Sequence, residues 1–187
     1  FAMAAAARAD PEGGWIESAR VSAAIELHTW LPYVGHYARG KRPDGVDAVV
    51  ALDTVGTWTA LFEIARGRPA RARSIIAHVD ALLGGRQGSW RIWRPGDDAQ
   101  ATTWFVDGSV ARAIALHRVG EVAAARADLH QLAQWGCAGG LPLCYSSRWV
   151  RDFPRTPAVA PTVWFVLAAR ELLDIDKAFL WNEGLGD

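Results

Sequence analysis

The sequence has few cysteines, a single methionine and no excess of charge of either sign. Its 187 residues include 2 Cys, 1 Met, 20 basic residues and 20 acidic residues. A balanced charge provides no basic surface for nucleic acid or for an anionic membrane, so we expect neither as a partner. The two cysteines have no neighbouring histidine and form no zinc site, and no other pattern in the sequence indicates a metal or a cofactor.

Long hydrophobic runs are absent as well. The longest uncharged apolar stretch, 163–169, is far shorter than the roughly 20 residues that span a bilayer. We interpret Met3 as the natural start, and the alanines that follow it lack the basic region and the apolar core of a secretion signal. Free thiols at Cys137 and Cys144 agree with a cytoplasmic protein, and a disulfide between them is the alternative.

Tryptophan is the residue type that the sequence has in excess. There are 10 Trp against 6 Phe and 3 Tyr. These large rings either fill the core or line a cleft that binds a ligand, and the sequence leaves both interpretations open.

Helical patterns account for most of the chain. The spacing of apolar residues predicts amphipathic helices over 16–31, 69–83 and 121–135, and mostly buried helices over 46–66, 99–119 and 163–173. Two long loops, 86–98 and 137–157, complete the pattern. The helix over 69–83 is expected to have two faces. The inward face consists of Ile75, Ile76, Val79, Leu82 and Leu83. The outward face consists of Arg71, Arg73 and Asp80.

The helices follow a repeat. Gly67 and Gly120, which end two of the buried helices, are 53 positions apart. Each is followed by an amphipathic helix, so the repeating unit is an αα-hairpin of roughly 50 residues. Because tight turns alternate with long loops, the long loops emerge on one face of the array, where binding sites collect.

Three segments resemble the inner helices of the (α/α) toroid, or six-hairpin, enzymes. They are Asp-Thr-Val-Gly-Thr-Trp-Thr-Ala-Leu at 53–61, Thr-Trp-Phe-Val-Asp-Gly at 103–108 and Thr-Val-Trp-Phe-Val-Leu-Ala-Ala at 162–169. The loop Gly-Gly-Leu-Pro at 139–142, followed by Tyr145, is similar to a loop before the last inner helix of such proteins. The resemblance covers 44–175 and implies an all-α fold of repeated αα-hairpins that form part of a toroid. We expect an N-terminal segment over 1–15 and a single domain over 16–187.

A full six-hairpin ring needs roughly 300 residues at about 50 per hairpin, and this chain supplies about three hairpins. The open apolar flanks imply a partner that completes the ring, either a second copy or a larger chain. In size and pattern, the chain also resembles the small subunit of the two-component complexes that form the aziridine ring in azinomycin-type biosynthesis.

The toroid resemblance indicates that site residues lie at the N-terminal ends of inner helices and in the loops before them. We expect Asp53 and Asp107 to act as catalytic acid or base, because a carboxylate in an apolar helical run must be paired or face a cavity. The expected substrate-binding residues share this end of the array and are Trp58, Thr103, Trp104, Tyr145, Arg148, Arg151 and Trp164.

Each assignment has a structural alternative. Asp53 and Asp107 are also typical of caps or of partners of arginine. Arg148 and Arg151 share one loop with aromatic residues and suit an anion, but the same pattern is typical of a solvated loop with ion pairs. His117 lies among apolar residues, and we interpret it as a packed core histidine.

Three functions are compatible with these residues. The first is the small subunit of a cytoplasmic enzyme complex that acts on a small polar metabolite, free or carrier-bound. Its reaction would be a ring closure or an elimination, such as aziridine formation with loss of an anionic leaving group: an aspartate is the base, and Arg148 or Arg151 binds the anion. The second is a carbohydrate-active toroid whose tryptophans stack on sugar rings and whose carboxylates act as acid and base. The third is a scaffold subunit without catalysis.

Overall fold

The structure is a computed structural model that describes residues 14–97, 103–136, 139–142, 144–146 and 156–173. The chain divides between Ala48 and Val49 into two compact units, which are described separately below. No helix in these ranges is long and apolar enough to cross a membrane.

In its described residues, 14–48, the first unit contains one helix and two small antiparallel hairpins. These elements are α1 (Gly14–Thr29), β1 (Trp30–Leu31), β2 (His36–Tyr37), β3 (Gly40–Arg42) and β4 (Gly45–Asp47). Trp30 lies opposite Tyr37 across the first hairpin, and their rings meet edge to face at 5.0 Å. The helix predicted over 16–31 is present, except that its last two residues form β1 because Pro32 follows them.

The second unit is mostly helical. A π-helical segment (Leu52–Thr57) leads into α2 (Trp58–Ala65), and the chain continues through α3 (Pro69–Leu83), α4 (Val106–Arg118), α5 (Val122–Ala133) and α6 (Val159–Leu172). Helix α2 packs against α3, and α4 packs against α5, so two αα-hairpins follow one another along the chain. Helix α4 also packs against α6 and the π-helical segment.

The two hairpins have the same turn. Gly67 and Gly120 have φ of 70° and 91°, the left-handed region that glycine tolerates best. The N–H of Gly67 donates to the carbonyl of Ile64, and the N–H of Arg68 donates to the carbonyl of Glu63. The second turn repeats this pattern one hairpin later. Both turns are Schellman motifs, which confirms the predicted ends of these helices.

Burial differs between the inner helices. Helix α4 is buried over nearly its whole length, from Val106 to Leu116, as predicted. Helix α6 is not buried all round, contrary to the prediction. Its exposed stripe consists of Val159, Val163 and Val166, which are 81%, 49% and 49% exposed. Only one face of α6 packs against α4 and α5.

Short strands replace parts of the predicted helices and loops. The predicted loop over 86–98 contains most of a hairpin of β5 (Gly84–Gln87) and β6 (Trp90–Trp93). β7 (Thr103–Phe105) pairs with β8 (Cys144–Ser146), so the helix predicted over 99–119 is wrong for its first part. The helix predicted over 46–66 is also wrong for its first part. There, the N–H of Leu52 donates to the carbonyl of Pro95, which holds the chain extended until the π-helical segment begins.

The glycine-rich loop over 139–142 is held against the start of α6. The N–H of Leu141 donates to Thr162 Oγ1 at 2.9 Å, and the N–H of Ala158 donates to the carbonyl of Leu141. A Cβ on Gly140 would lie 2.8 Å from Thr162 Oγ1. Glycine therefore permits the close approach that fixes this loop. A mostly helical fold is confirmed, and closure of the helices into a toroid stays a prediction.

Candidate acid–base site

Asp107 lies in the first turn of α4, directly after β7. The pairing of Phe105 with Cys144 across β7 and β8 fixes the point at which α4 begins. The next residue, Gly108, is buried, and a Cβ at this position would lie 2.9 Å from Leu52 Cδ2. The missing side chain therefore lets the first turn of α4 approach the π-helical segment closely.

Asp53 lies in the first turn of the π-helical segment and is partly exposed. Its Oδ1 accepts a hydrogen bond from the backbone N–H of Thr54 at 2.6 Å. Its carbonyl accepts a hydrogen bond from the backbone N–H of Trp58, five residues later. Trp58 therefore follows Asp53 by one turn of the π-helix. Turns of this kind are rare and occur frequently at functional sites.

The carboxylates of Asp53 and Asp107, called the carboxylate pair below, act on each other electrostatically. Burial raises the pKa of Asp107 above its ordinary value of 3.8, and the negative charge of Asp53 raises it further. Oδ1 of Asp107 is buried and accepts no hydrogen bond from the described residues. Such a carboxyl group keeps its proton to a higher pH than an exposed one, which suits a general acid.

Cys144 lies close enough to the carboxylate pair to respond to its charge. The residue is 1% exposed, and its thiol is free. Burial raises the pKa of this thiol to about 12, and the charge of Asp107 adds to the effect. Cys144 is therefore an uncharged, buried thiol, which suits packing beside Asp107 and does not suit a nucleophile. Cys137 lies outside the described residues.

An aromatic pair adjoins the π-helical segment. The rings of Trp58 and Trp164 meet nearly perpendicular, with centroids 5.7 Å apart, so α6 contacts the start of α2 here. Trp58 is 41% exposed. One turn beyond Asp53, the structure thus presents an indole ring that a ligand can contact.

A second aromatic cluster is buried. Trp104 packs against Trp90 and Trp135, with centroid distances of 6.3 and 5.5 Å. Trp104 is 2% exposed and Thr103 is 6% exposed, so the structure places both in the core. Tyr145 pairs with Trp104 through the backbone of β8. Of the two interpretations of the tryptophans, core filling applies to this cluster, whereas Trp58 is partly exposed and its contact with a ligand stays a prediction.

The predicted anion-binding residues, Arg148 and Arg151, lie outside the described residues. Their role as an anion clamp stays a prediction. Within the described ranges, no group of three or more His, Cys, Asp and Glu side chains could hold a metal ion.

A buried ion network on α4 was not predicted from the sequence. Arg112 is 2% exposed, and its Nε donates to Asp80 Oδ1 at 2.7 Å while Nη1 donates to Asp128. Trp93 Nε1 donates to the same Asp80 oxygen at 2.9 Å, and the Arg112 guanidinium lies 4.2 Å from the Trp93 ring centroid. Burial raises the pKa of Asp128, although Arg112 opposes the shift.

This network corrects the orientation predicted for α3. Asp80 is only partly exposed, because it pairs with Arg112, which lies 32 positions later on α4. Leu82 is likewise 43% exposed rather than buried. The available signal was an arginine inside a helix predicted to be buried, since a buried guanidinium requires carboxylate partners.

Comparisons with known proteins do not identify a family or an activity for this chain. No family model matches the sequence, and no curated protein matches it with significance. Among solved structures, the chain is similar to the endo-beta-1,4-glucanase CMCax from Acetobacter xylinum, with 18% sequence identity and a TM-score of 0.46 over 65% of this chain. The chain spans 40% of the length of that glucanase. At this level, the similarity supports no argument about activity, and nothing in the comparisons supports a link to azinomycin-type biosynthesis.

Proposed function

We propose that the second unit carries an acid–base site that cleaves a glycosidic bond, with Asp107 as the general acid and Asp53 as the second carboxylate. The observation that carries this proposal is the buried Oδ1 of Asp107, which has no partner among the described residues. A structural aspartate normally satisfies such an oxygen with a cap or an arginine. Asp80 and Asp128 in the same unit follow that rule through Arg112.

The raised pKa of Asp107 favours an acid over a base. A base must be ionised at the start of the reaction, whereas a general acid must hold a proton that it donates to the leaving group. Burial and the charge of Asp53 both favour the protonated form of Asp107. Cleavage of a glycosidic bond needs one protonated and one ionised carboxyl group beside the same bond, and the carboxylate pair supplies two groups in different environments.

The exposed ring of Trp58 supports a carbohydrate as the substrate. An indole face is apolar and broad, and it packs against the apolar face of a sugar ring. Trp58 lies one π-helical turn beyond Asp53, and its edge-to-face contact with Trp164 restricts its rotation. Ring closure with loss of an anion would instead need a base and a cationic group, and the arginines predicted for that role lie outside the described residues.

The exposed stripe on α6 supports association with a second helical chain, as the half-ring interpretation requires. Val159, Val163 and Val166 lie four and three positions apart, which is the spacing of one helix face. We propose a second copy of this chain as the partner, because a two-fold symmetric interface needs only one self-complementary stripe. The proposed activity then belongs to the assembled form.

The test is the release of reducing ends from a panel of soluble polysaccharides. We expect Asp107→Asn to lower the rate by about 10²-fold or more, in the range of general acid catalysis. Asp53→Asn should also lower the rate, and Asp44→Asn, which changes an exposed carboxylate in the first unit, should leave it unchanged. The activity of the wild-type protein should fall as the pH rises through the pKa of Asp107. Equal activity in wild type and Asp107→Asn would exclude the assignment.

A further inference from the structure

A pocket lies between the end of α3 and the hairpin of β5 and β6. Its volume is about 240 Å³. It is lined by two arginines, one aspartate, one tryptophan and two glycines, namely Arg86, Arg91, Asp80, Trp93, Gly84 and Gly85. The pocket shares no residue with the carboxylate pair and is independent of the proposed function.

The two arginines face each other across the hairpin. Arg86 on β5 is directly opposite Arg91 on β6. Directly opposed residues project from the same face of a hairpin with Cβ atoms about 5 Å apart, and two like charges in that position repel. Arg86 is exposed, and its guanidinium has no hydrogen bond or ion pair with the described residues.

The one carboxylate of the pocket is already engaged. Oδ1 of Asp80 accepts hydrogen bonds from Arg112 and Trp93, and Oδ2 accepts a second bond from Arg112. Arg91 Nη2 lies 3.8 Å from Asp80 Oδ2, which is beyond hydrogen-bond distance. Asp80 therefore leaves the donors of Arg91 available to a ligand.

The surrounding charges do not cancel. Three guanidinium groups, those of Arg86, Arg91 and Arg112, and two carboxylates, those of Asp80 and Asp128, lie in the pocket or in the ion network beside it. The pocket is therefore positive, and its two least engaged groups are planar guanidinium groups that fit the oxygens of an anion.

We propose that this pocket binds the oxyanion group of a small ligand, a carboxylate or a phosphate, between Arg86 and Arg91. Its volume is below that of most pockets for drug-sized ligands, so the ligand is of monosaccharide or smaller size. Arg91 is held by its position 5.2 Å over the Trp93 ring. Its backbone N–H donates to Gln131 Oε1 at 2.8 Å, which fixes β6 against α5. The Arg91 side of the site is thus held in place before a ligand binds.

Calorimetric titration of the whole chain tests the proposal with four probes: inorganic phosphate, acetate, glucuronate and neutral glucose. Phosphate and the carboxylates should bind, and glucose should not. The ranking of phosphate against glucuronate identifies which oxyanion the pocket prefers. Arg86→Gln and Arg91→Gln should each weaken binding by about 10-fold or more, the usual effect of losing a charge-assisted hydrogen bond.

The controls separate the pocket from general charge. Arg20→Gln removes one exposed positive charge in the first unit and should leave binding unchanged. Arg91→Lys keeps the charge but loses the planar fork, and it should weaken binding less than Arg91→Gln. If Arg91→Gln does not fold, Arg86→Gln alone tests the proposal, because Arg86 is exposed and its replacement should not affect folding. Absence of binding for every oxyanion at millimolar concentration would overturn the proposal, as would equal binding by wild type and Arg86→Gln.

Discussion

Replacing Asp107 by asparagine should stabilise the protein at neutral pH, although the same change should remove the proposed activity. Oδ1 of Asp107 is buried without a partner among the described residues, and Asp53 adds a like charge nearby. Asparagine has nearly the same shape and no charge. The variant therefore relieves the desolvation of the carboxylate and its repulsion from Asp53.

The size of this effect follows from the burial of one oxygen. A buried charged group without a partner costs about 1–3 kcal/mol or more, and each unit of raised pKa corresponds to about 1.4 kcal/mol. Asp107 as a whole is only partly buried, so solvent screens part of its charge, and the lower end of the range applies. We expect a gain of about 1 kcal/mol, which raises the Tm of a chain of this length by about 2–4 °C.

The gain should depend on pH with a defined sign. Because the folded-state pKa of Asp107 lies above its ordinary value of 3.8, the folded protein holds a proton that the unfolded chain releases. The stability from this proton is fully present below 3.8 and is lost as the pH rises through the folded-state pKa. The advantage of Asp107→Asn should therefore be absent at the lowest pH and reach its full size above the folded-state pKa.

Urea denaturation of wild type and variant over a series of pH values measures this difference. Asp80→Asn is the matched control, because it makes the same chemical change at a carboxylate that binds Arg112 and Trp93. That control should lose stability, by about 3 kcal/mol, since it weakens the pairing of a buried arginine. A loss of stability in Asp107→Asn at pH 7, or a gain that is the same at every pH, would show that Asp107 is not a destabilising buried charge.

Three further predictions concern packing and association. Cys144 should react with iodoacetamide at least a hundredfold more slowly in the folded chain than in the urea-unfolded chain. The reason is that its thiol is buried and has a pKa of about 12. Cys137 is replaced by serine for this measurement. Gly56→Ala should lower the free energy of unfolding, measured by urea denaturation, by about 1–3 kcal/mol, because a Cβ would lie 2.9 Å from the buried side chain of Val79. Gly85→Ala should lower it far less, because a Cβ there would make only ordinary contacts. The isolated chain should self-associate in light scattering, and Val163→Asp should reduce that association more than Leu82→Asp, which alters an exposed residue of another helix.

The helices were predictable because residues near their ends determine where they begin and end. Pro69 begins α3, and Gly67 and Gly120 occupy the left-handed positions that end α2 and α4. The strands were missed because β1 and β2 have two residues each, which is too short for an alternating pattern. The hairpin of β5 and β6 did carry a signal, since Gly88 and Ser89 form a two-residue turn between the two strands.

The partners of charged residues were not predictable, because they come from distant parts of the chain. Spacing on α3 alone assigned Asp80 to the solvent face, and only the tertiary fold brings Arg112 to it. Asp53 and Asp107 were recognised because an aspartate in an apolar run must be paired or face a cavity. The sequence contained no information on which of those two outcomes applies. The structure gives Asp107 a buried oxygen without a partner and gives Asp53 a hydrogen bond from a neighbouring backbone N–H.

The repeat itself offers an explanation for the position of Asp53 in a π-helix, whereas Asp107 lies in an ordinary α-helix. Asp107 precedes Gly120 by 13 positions, and Asp53 precedes Gly67 by 14. The first hairpin thus has one more residue between its carboxylate and its turn than the second. A π-helical turn closes its hydrogen bond over five residues instead of four, so it can accommodate one additional residue without displacing the helix that follows. The segment Leu52–Thr57 does this between Asp53 and α2, so that Asp53 precedes α2 while Asp107 lies in the first turn of α4.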